Sequence, residues 1–300
     1  MIGRQERVAS MDDALVIRNL CKTYPKSKFS LMDVSFSFPR GNIMGFVGEN
    51  GSGKTTTINC IMGTRFKDSG QIKILGRDID AETHRSREDV AVVYDSEYSM
   101  EKLNPIQLES VFQNLHPSWS HAMYDEYLER FDIPKKQPVK SFSKGMNAKF
   151  RLIAALSQQP ELLILDEPTS GLDPVVKEEV LNLFLEFVED ERHSILFSTH
   201  ITTDLERIAD YITFIHDGKI IDSLEKDDIM DNYGIGRLTR EQFSNLEDRY
   251  KSNVLKKEHE INILVTDKAG FGMEYPDYAL DPISLDEMLT LLVKGVNYEK

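Results

Sequence analysis

The sequence predicts an α/β fold: a mainly parallel sheet flanked by helices, a helical insertion, and a small α+β appendage at the C-terminus. Three observations predict it. Short apolar runs, at Ile43–Val47 and over 162–165, alternate with helical periodicity, the pattern of strands buried between helices. A glycine-rich segment, Gly48-Glu49-Asn50-Gly51-Ser52-Gly53-Lys54-Thr55, joins the first of these strands to a helix. A purely helical stretch at about 96–158 interrupts the alternation.

Strands are expected over 14–19 and 34–38, then at Ile43–Val47, whose unbroken apolar run suits a central strand. A helix follows from Lys54 to about Gly63, then strands over 71–75 and 90–94. From about 104 to 131 apolar residues recur at helical spacing, led by Leu108, Val111, Phe112 and Leu115, with Pro117 and Pro134 as breaks. Another helix runs from Ser143 to about Gln158, followed by strand 162–165, helix 175–189, strand 194–198, helix 202–209 and strand Tyr211–His216. Asp217-Gly218 reads as a hairpin turn into a strand over 219–222.

Near Gly234 and Gly236 this pattern ends. Beyond it come a polar helix, an alternating strand around 259–266 and an amphipathic helix from about Ser284. Leu285, Met288, Leu289 and Leu292 form its apolar stripe, read as core packing or a dimer contact. The expected organisation is a disordered leader over 1–13, a nucleotide-binding domain over 14–235 with a helical subdomain at about 96–158, and a small domain over 236–300.

Composition narrows the classes of function. The 300 residues are 40% hydrophobic and 29% charged, and no apolar run approaches the roughly 20 residues of a membrane helix. The N-terminal stretch lacks the apolar core of a secretory signal. A net charge of −14 disfavours nonspecific binding to nucleic acid, which needs cationic surface to release counterions. Cys21 and Cys60 are too few for a disulfide framework, which points to a cytoplasmic protein, and the seven histidines lack metal-site spacing.

Two segments carry the chemistry. In 48–55 the glycines Gly48, Gly51 and Gly53 let backbone N–H groups turn inward around phosphate oxygens, with Asn50 and Ser52 between them. Lys54 supplies a mobile cation for the β- and γ-phosphates, and Thr55 a hydroxyl for Mg²⁺; Thr56 follows in the helix, whose N-terminal dipole favours an anion. About a hundred residues on, the apolar run 162–165 ends in Asp166 and Glu167. Asp166 is placed to organise Mg²⁺, and Glu167 to polarise an attacking water as a general base.

With these elements the chain resembles the nucleotide-binding subunit of an ATP-binding cassette (ABC) transporter, over roughly 14–235. The discriminating segment is Phe142-Ser143-Lys144-Gly145-Met146, at the place of the family's LSGGQ signature; Ser143 and Gly145 match it, Phe142, Lys144 and Met146 do not. Ser170-Gly171-Leu172-Asp173 resembles the family's D-loop, and Ser198-Thr199-His200 its switch histidine. Tyr24 stands where the family stacks an aromatic ring on adenine, although a tyrosine before Pro25 can equally be a packed loop residue. One departure is clear: Asp95 replaces the glutamine that family members usually carry after the strand at 90–94, where it touches Mg²⁺ and the attacking water.

The resemblance implies the P-loop ABC ATPase fold, with an antiparallel β part near the N-terminus, and ATP and Mg²⁺ as cofactors. It implies two partners. One is an integral-membrane permease at the cytoplasmic face of the membrane; the other is a second copy in a head-to-tail, ATP-dependent dimer, where Ser143 and Gly145 of one copy cap the ATP on the phosphate loop of the other. His200 would contact the γ-phosphate and Asp173 would communicate across the pair. Asp95 and FSKGM resemble a subset of ABC-2-type bacterial exporters, some of which carry peptides. In the family the permease docks on the helical insertion, where Trp119, Tyr124 and Tyr127 are read either as that contact or as helix packing. Two alternatives weigh less. A soluble ABC ATPase acting on nucleic acid or the ribosome would carry fused cassettes or a long coiled coil, and a kinase or GTPase on the same loop has no use for FSKGM, SGLD and STH.

Overall fold

The computed structural model describes residues 12–25, 28–81, 87–94 and 102–298. Three sheets organise them. The first is antiparallel: β1 (Asp13–Thr23), β2 (Ser30–Pro39), β4 (Ser69–Ile74) and β5 (Arg77–Asp78), in the order β2-β1-β4-β5. Asp13, expected in a leader, opens β1 and is buried; residues 1–11 lie outside the described residues.

The central sheet has six strands: β3 (Ile43–Val47), β6 (Val90–Val93), β7 (Leu162–Asp166), β8 (Ser194–Thr199), β9 (Tyr211–His216) and β10 (Lys219–Glu225). Their order is β10-β9-β3-β8-β7-β6, and every pairing is parallel except the hairpin of β9 and β10. All residues of β3, β7 and β8 are buried, as unbroken apolar runs require of strands covered on both faces. The hairpin turn has positive φ at both Asp217 (45°) and Gly218 (73°), the combination a tight two-residue turn demands. Gly218 N–H donates to Ser52 O at 2.8 Å and its carbonyl accepts from Met32 N–H at 2.8 Å, so the turn pins the phosphate loop against β2.

Helix α1 (Lys54–Met62) follows β3. Between β6 and β7 lie α2 (Pro105–Leu115), α3 (His121–Arg130) and α4 (Lys144–Leu156), the helical insertion expected from the sequence. A reciprocal cap of Asn104 and Gln107, with Pro105 in the first turn, starts α2. Tyr124 is buried, and its hydroxyl donates to Pro105 O at 3.0 Å. Trp119 and Tyr127, partly buried, pack on the same core, so helix packing accounts for the placement of all three rings. Helices α5 (Pro174–Phe187) and α6 (Thr202–Ile208) complete the alternation, and α7 (Lys226–Asn232) follows β10.

The third sheet, ordered β12-β13-β11-β14, joins β11 (Gly234–Leu238), β12 (Val254–Lys256), β13 (Ile261–Val265) and β14 (Ala279–Pro282), all antiparallel. It begins at Gly234, inside the segment assigned from sequence to the preceding domain. Around it stand α8 (Arg240–Ser244), α9 (Lys268–Glu274) and α10 (Leu285–Lys294). Ser284 and Glu287 cap α10 reciprocally. Leu285, Met288, Leu289 and Leu291 join one core with Leu205, Ile208 and Phe214. The α10 stripe is therefore core packing, with Leu292 partly buried beside it.

Candidate functional site

Strand β3 delivers the chain to the phosphate loop at the sheet edge. Positive φ at Gly51 (83°) and Gly53 (120°) curls the loop, a conformation that Cβ-bearing residues rarely adopt. Gly48 answers a different need: a Cβ there would overlap the Ile215 carbonyl oxygen and lie 2.6 Å from Ser52 Oγ. Helix α1 starts with no acidic residue in its first turn and no side-chain cap, which leaves its N–H groups free for an anion.

Lys54 is 6% exposed and folds back into the loop, donating to Gly48 O at 2.7 Å and Glu49 O at 3.3 Å. Its Nζ also stands 3.4 Å from Glu167 Oε1. Thr55 Oγ1 donates to Asp166 Oδ2 at 2.8 Å, and Ser198 Oγ to Asp166 Oδ1 at 2.9 Å. Burial pushes the Asp166 carboxyl above its ordinary value; the two hydroxyl bonds oppose that shift, and the neighbouring Glu167 charge adds to it.

Glu167 occupies a left-handed backbone conformation (φ 54°), held by its own N–H donating to Ser198 O at 2.9 Å. Such a residue costs about 1–3 kcal/mol and persists where its surroundings over-determine it. His200 Nδ1 lies 2.8 Å from Glu167 Oε2, while Glu167 Oε1 and Ser52 Oγ are buried without a hydrogen-bond partner. A cradle of N–H groups, a buried ammonium and orphaned oxygens facing them fits a triphosphate; the Thr55 hydroxyl and Asp166 carboxylate, both hard oxygen donors, fit Mg²⁺. A carboxylate between Lys54 and His200 can take a proton from water.

Lys54, Thr55, Asp166, Glu167 and His200 thus converge, with Gly48 and Ser52 shaping the loop and Asn50 exposed on it. Thr56 is half-buried in the first turn of α1, and Tyr24 is half-buried with Lys22 Nζ 5.7 Å from its ring centre. Ser143 caps α4, its Oγ accepting from Met146 N–H at 3.2 Å, and its own proton can still be donated. Gly145 lets α4 approach α5: a Cβ there would lie 3.1 Å from Val176 Cγ2. Asp173 caps α5, accepting from Val175 and Val176 N–H at 3.1 Å each. Among the described residues, no hydrogen bond or ion pair joins Ser143, Gly145 or Asp173 to the loop 48–55. Asp95 lies outside the described residues.

Three contributors escaped the sequence reading. Ser198 pairs in register with Asp166, so the parallel ladder could have placed its hydroxyl on that carboxylate. Asp204, buried, accepts from Thr169 Oγ1 at 2.7 Å and pairs with Lys177 at 2.5 Å, bracing the segment after Glu167. Asp68 bonds the Thr23 N–H (2.6 Å), the Thr23 hydroxyl (2.7 Å) and Lys22 (2.9 Å), and so fixes the strand end that carries Tyr24. Neither long-range pairing has a local signal.

Comparison with known proteins bears directly on this geometry. Residues 31–170 match the family model described as ABC transporter. The ABC transporter ATP-binding protein YtrB of Bacillus subtilis is 30% identical over 203 residues, 68% of this chain and 69% of that protein. The chain belongs to the ATP-binding subunits of ABC transporters. It is, accordingly, an ATP-binding ATPase that energises a separate membrane component. This ABC subunit is also similar to the bacitracin transport ATP-binding protein BcrA of Bacillus licheniformis, at 31% identity over 72% of this chain and 71% of the relative. The lantibiotic transport ATP-binding protein SrtF of Streptococcus pyogenes is 33% identical, over 71% of this chain and 90% of its own length. A solved ATP-binding subunit of an ABC transporter superposes with a TM-score of 0.63 at 29% identity, covering 72% of this chain and 91% of that one. Among the described residues no helix is long and apolar enough to cross a membrane.

Proposed function

We propose that two copies of this subunit pair head to tail beneath a permease at the cytoplasmic face of a membrane and hydrolyse ATP between them to export a peptide. The names of BcrA and SrtF, transport proteins for bacitracin and a lantibiotic, support the peptide class. In this reading residues 13–233 carry the catalytic unit, and the sheet that begins at Gly234 belongs to an appended domain.

Lys54 and the loop N–H groups of Gly48, Asn50, Gly51, Ser52 and Gly53 hold the phosphates, with Thr56 at the helix start and Tyr24 against the base. Thr55 and Asp166 hold Mg²⁺, with Asp95 a further oxygen donor; bound there, the ion neutralises phosphate charge. Glu167 takes the proton of the attacking water, and His200 orients the carboxylate and senses the terminal phosphate. Ser143 and Gly145 of the second copy close the site, and Asp173 relays between the copies.

The observation that carries this reading is the placement of Glu167, its Oε1 3.4 Å from Lys54 Nζ and its Oε2 2.8 Å from His200 Nδ1. Sedimentation of Glu167→Gln tests the pairing: the variant is expected to run as a dimer with ATP and Mg²⁺ and as a monomer with ADP. A monomer under both conditions would count against the paired site.

A further inference from the structure

Helix α10 comes from the C-terminal segment, yet it borders the phosphate loop. A cavity of about 380 Å³ lies between them, with Glu49, Asn50 and His200 on one wall and Asp286, Thr290 and Lys294 on the other. The α10 wall is fixed. Leu285, Met288 and Leu291 are locked in the main core, Leu285 N–H donates to Glu206 Oε1 at 2.8 Å, and Glu287 pairs with Arg237 at 2.7 Å. A helix held this way is a permanent side of the slot, not a displaceable strap.

The slot mixes apolar and charged surface: Leu289 and Val293 line it beside Asp286 and Lys294. Asp286 and Lys294 stand eight residues apart on α10, about 12 Å along its axis. Both are exposed, and neither has an ion-pair partner among the described residues. Glu49 adds a carboxylate from the loop wall, with His216 Nδ1 3.8 Å away.

A second surface of the same chain carries the complementary charges. Lys144 follows the cap residue Ser143 at the first position of α4, where the helix dipole disfavours a cation. It is exposed and has no carboxylate partner among the described residues. Its ammonium lies over Gly171, whose missing side chain makes the room, and Asp173 follows two residues on. A cation and an anion thus share one edge.

We infer that the slot between the phosphate loop and α10 is a charge-keyed seat for the Lys144–Asp173 edge of a second copy. Lys144 meets Asp286 and Glu49, and Asp173 meets Lys294. The inference rests on the paired-copy reading above and adds the C-terminal helix to that interface. Each chain carries a net charge of −14, so two copies repel at a distance, and local complementarity is what selects the docked geometry.

The test is a charge swap in the Glu167→Gln background, with the dimer dissociation constant measured by sedimentation in ATP and Mg²⁺. Asp286→Lys and Lys144→Glu are each expected to weaken the dimer about tenfold or more, Asp286→Asn by less, and the double reversal to recover to within about threefold of the parent. Melting temperatures confirm that each variant is folded. Single reversals without effect, or a double reversal no tighter than the singles, would overturn the seat while leaving the pairing intact. A parent that never dimerises with ATP would overturn both.

Discussion

Gly48→Ala isolates the geometric demand of the phosphate loop. The backbone of Gly48 needs no left-handed conformation, so the substitution acts through collision alone. The added methyl overlaps the Ile215 carbonyl oxygen and lies 2.6 Å from Ser52 Oγ and 3.0 Å from Ile215 Cγ2. The Ile215 oxygen belongs to a central strand and cannot rotate away, so the loop itself must move. Carbon–oxygen contacts settle near 3.3 Å, which requires a shift of about 1 Å. Overpacking of this kind costs about 1–3 kcal/mol of stability. A displacement of about 1 Å in groups that orient a reacting phosphate lowers the rate on the order of 100-fold. Phosphate release would be measured over a range of ATP concentrations, with circular dichroism and thermal melting to confirm a folded chain. The expected result is a kcat/KM about 100-fold lower in a protein that still melts cooperatively. Retention of kcat/KM within about twofold would refute the claim that close approach of this backbone to β9 sets the loop.

Two further outcomes follow from the surrounding structure. Hydrogen bonds from Lys22 and Thr23 hold the Asp68 carboxyl down at about 2, below its unfolded value of about 3.9, so its stabilisation is present above that unfolded value and lost as pH falls toward 2. Asp68→Asn should therefore be less stable than the parent near pH 6, with the gap closing at acid pH in denaturant titrations; a constant gap would remove the ion pair as the cause. Tyr124→Phe deletes a buried bond to the Pro105 carbonyl and should cost about 1–2 kcal/mol in urea unfolding, whereas an unchanged midpoint would show that the bond adds nothing.

Much of this molecule was legible in its sequence because the decisive signals are local. The apolar runs that became β3, β7 and β8, the spacing within 48–55 and the Asp166-Glu167 pair each lie inside a few residues, and their chemistry follows from adjacency. What escaped depends on pairing across the chain. Ser198 reaches Asp166 only through the register of β7 and β8, and Gly218 pins Ser52 only because the hairpin folds back beside β2. The C-terminal sheet was only partly visible: β12 has three residues and β14 four, too short for alternation to show. Glu167 was legible as a candidate base, but its left-handed backbone and its contact with His200 were not. Nor did the stripe on α10 reveal that a face of that helix overlapping it at Leu289 borders the phosphate loop.

The central claim is that Glu167 is the general base of this ATPase. Steady-state phosphate release by Glu167→Gln, with ATP affinity measured on the same preparation, tests it most directly. A general base contributes on the order of 10²–10⁴ to rate, so turnover should fall at least about 100-fold while ATP affinity stays within about threefold of the parent. Turnover within about fivefold of the parent would contradict the assignment, however well the variant binds ATP.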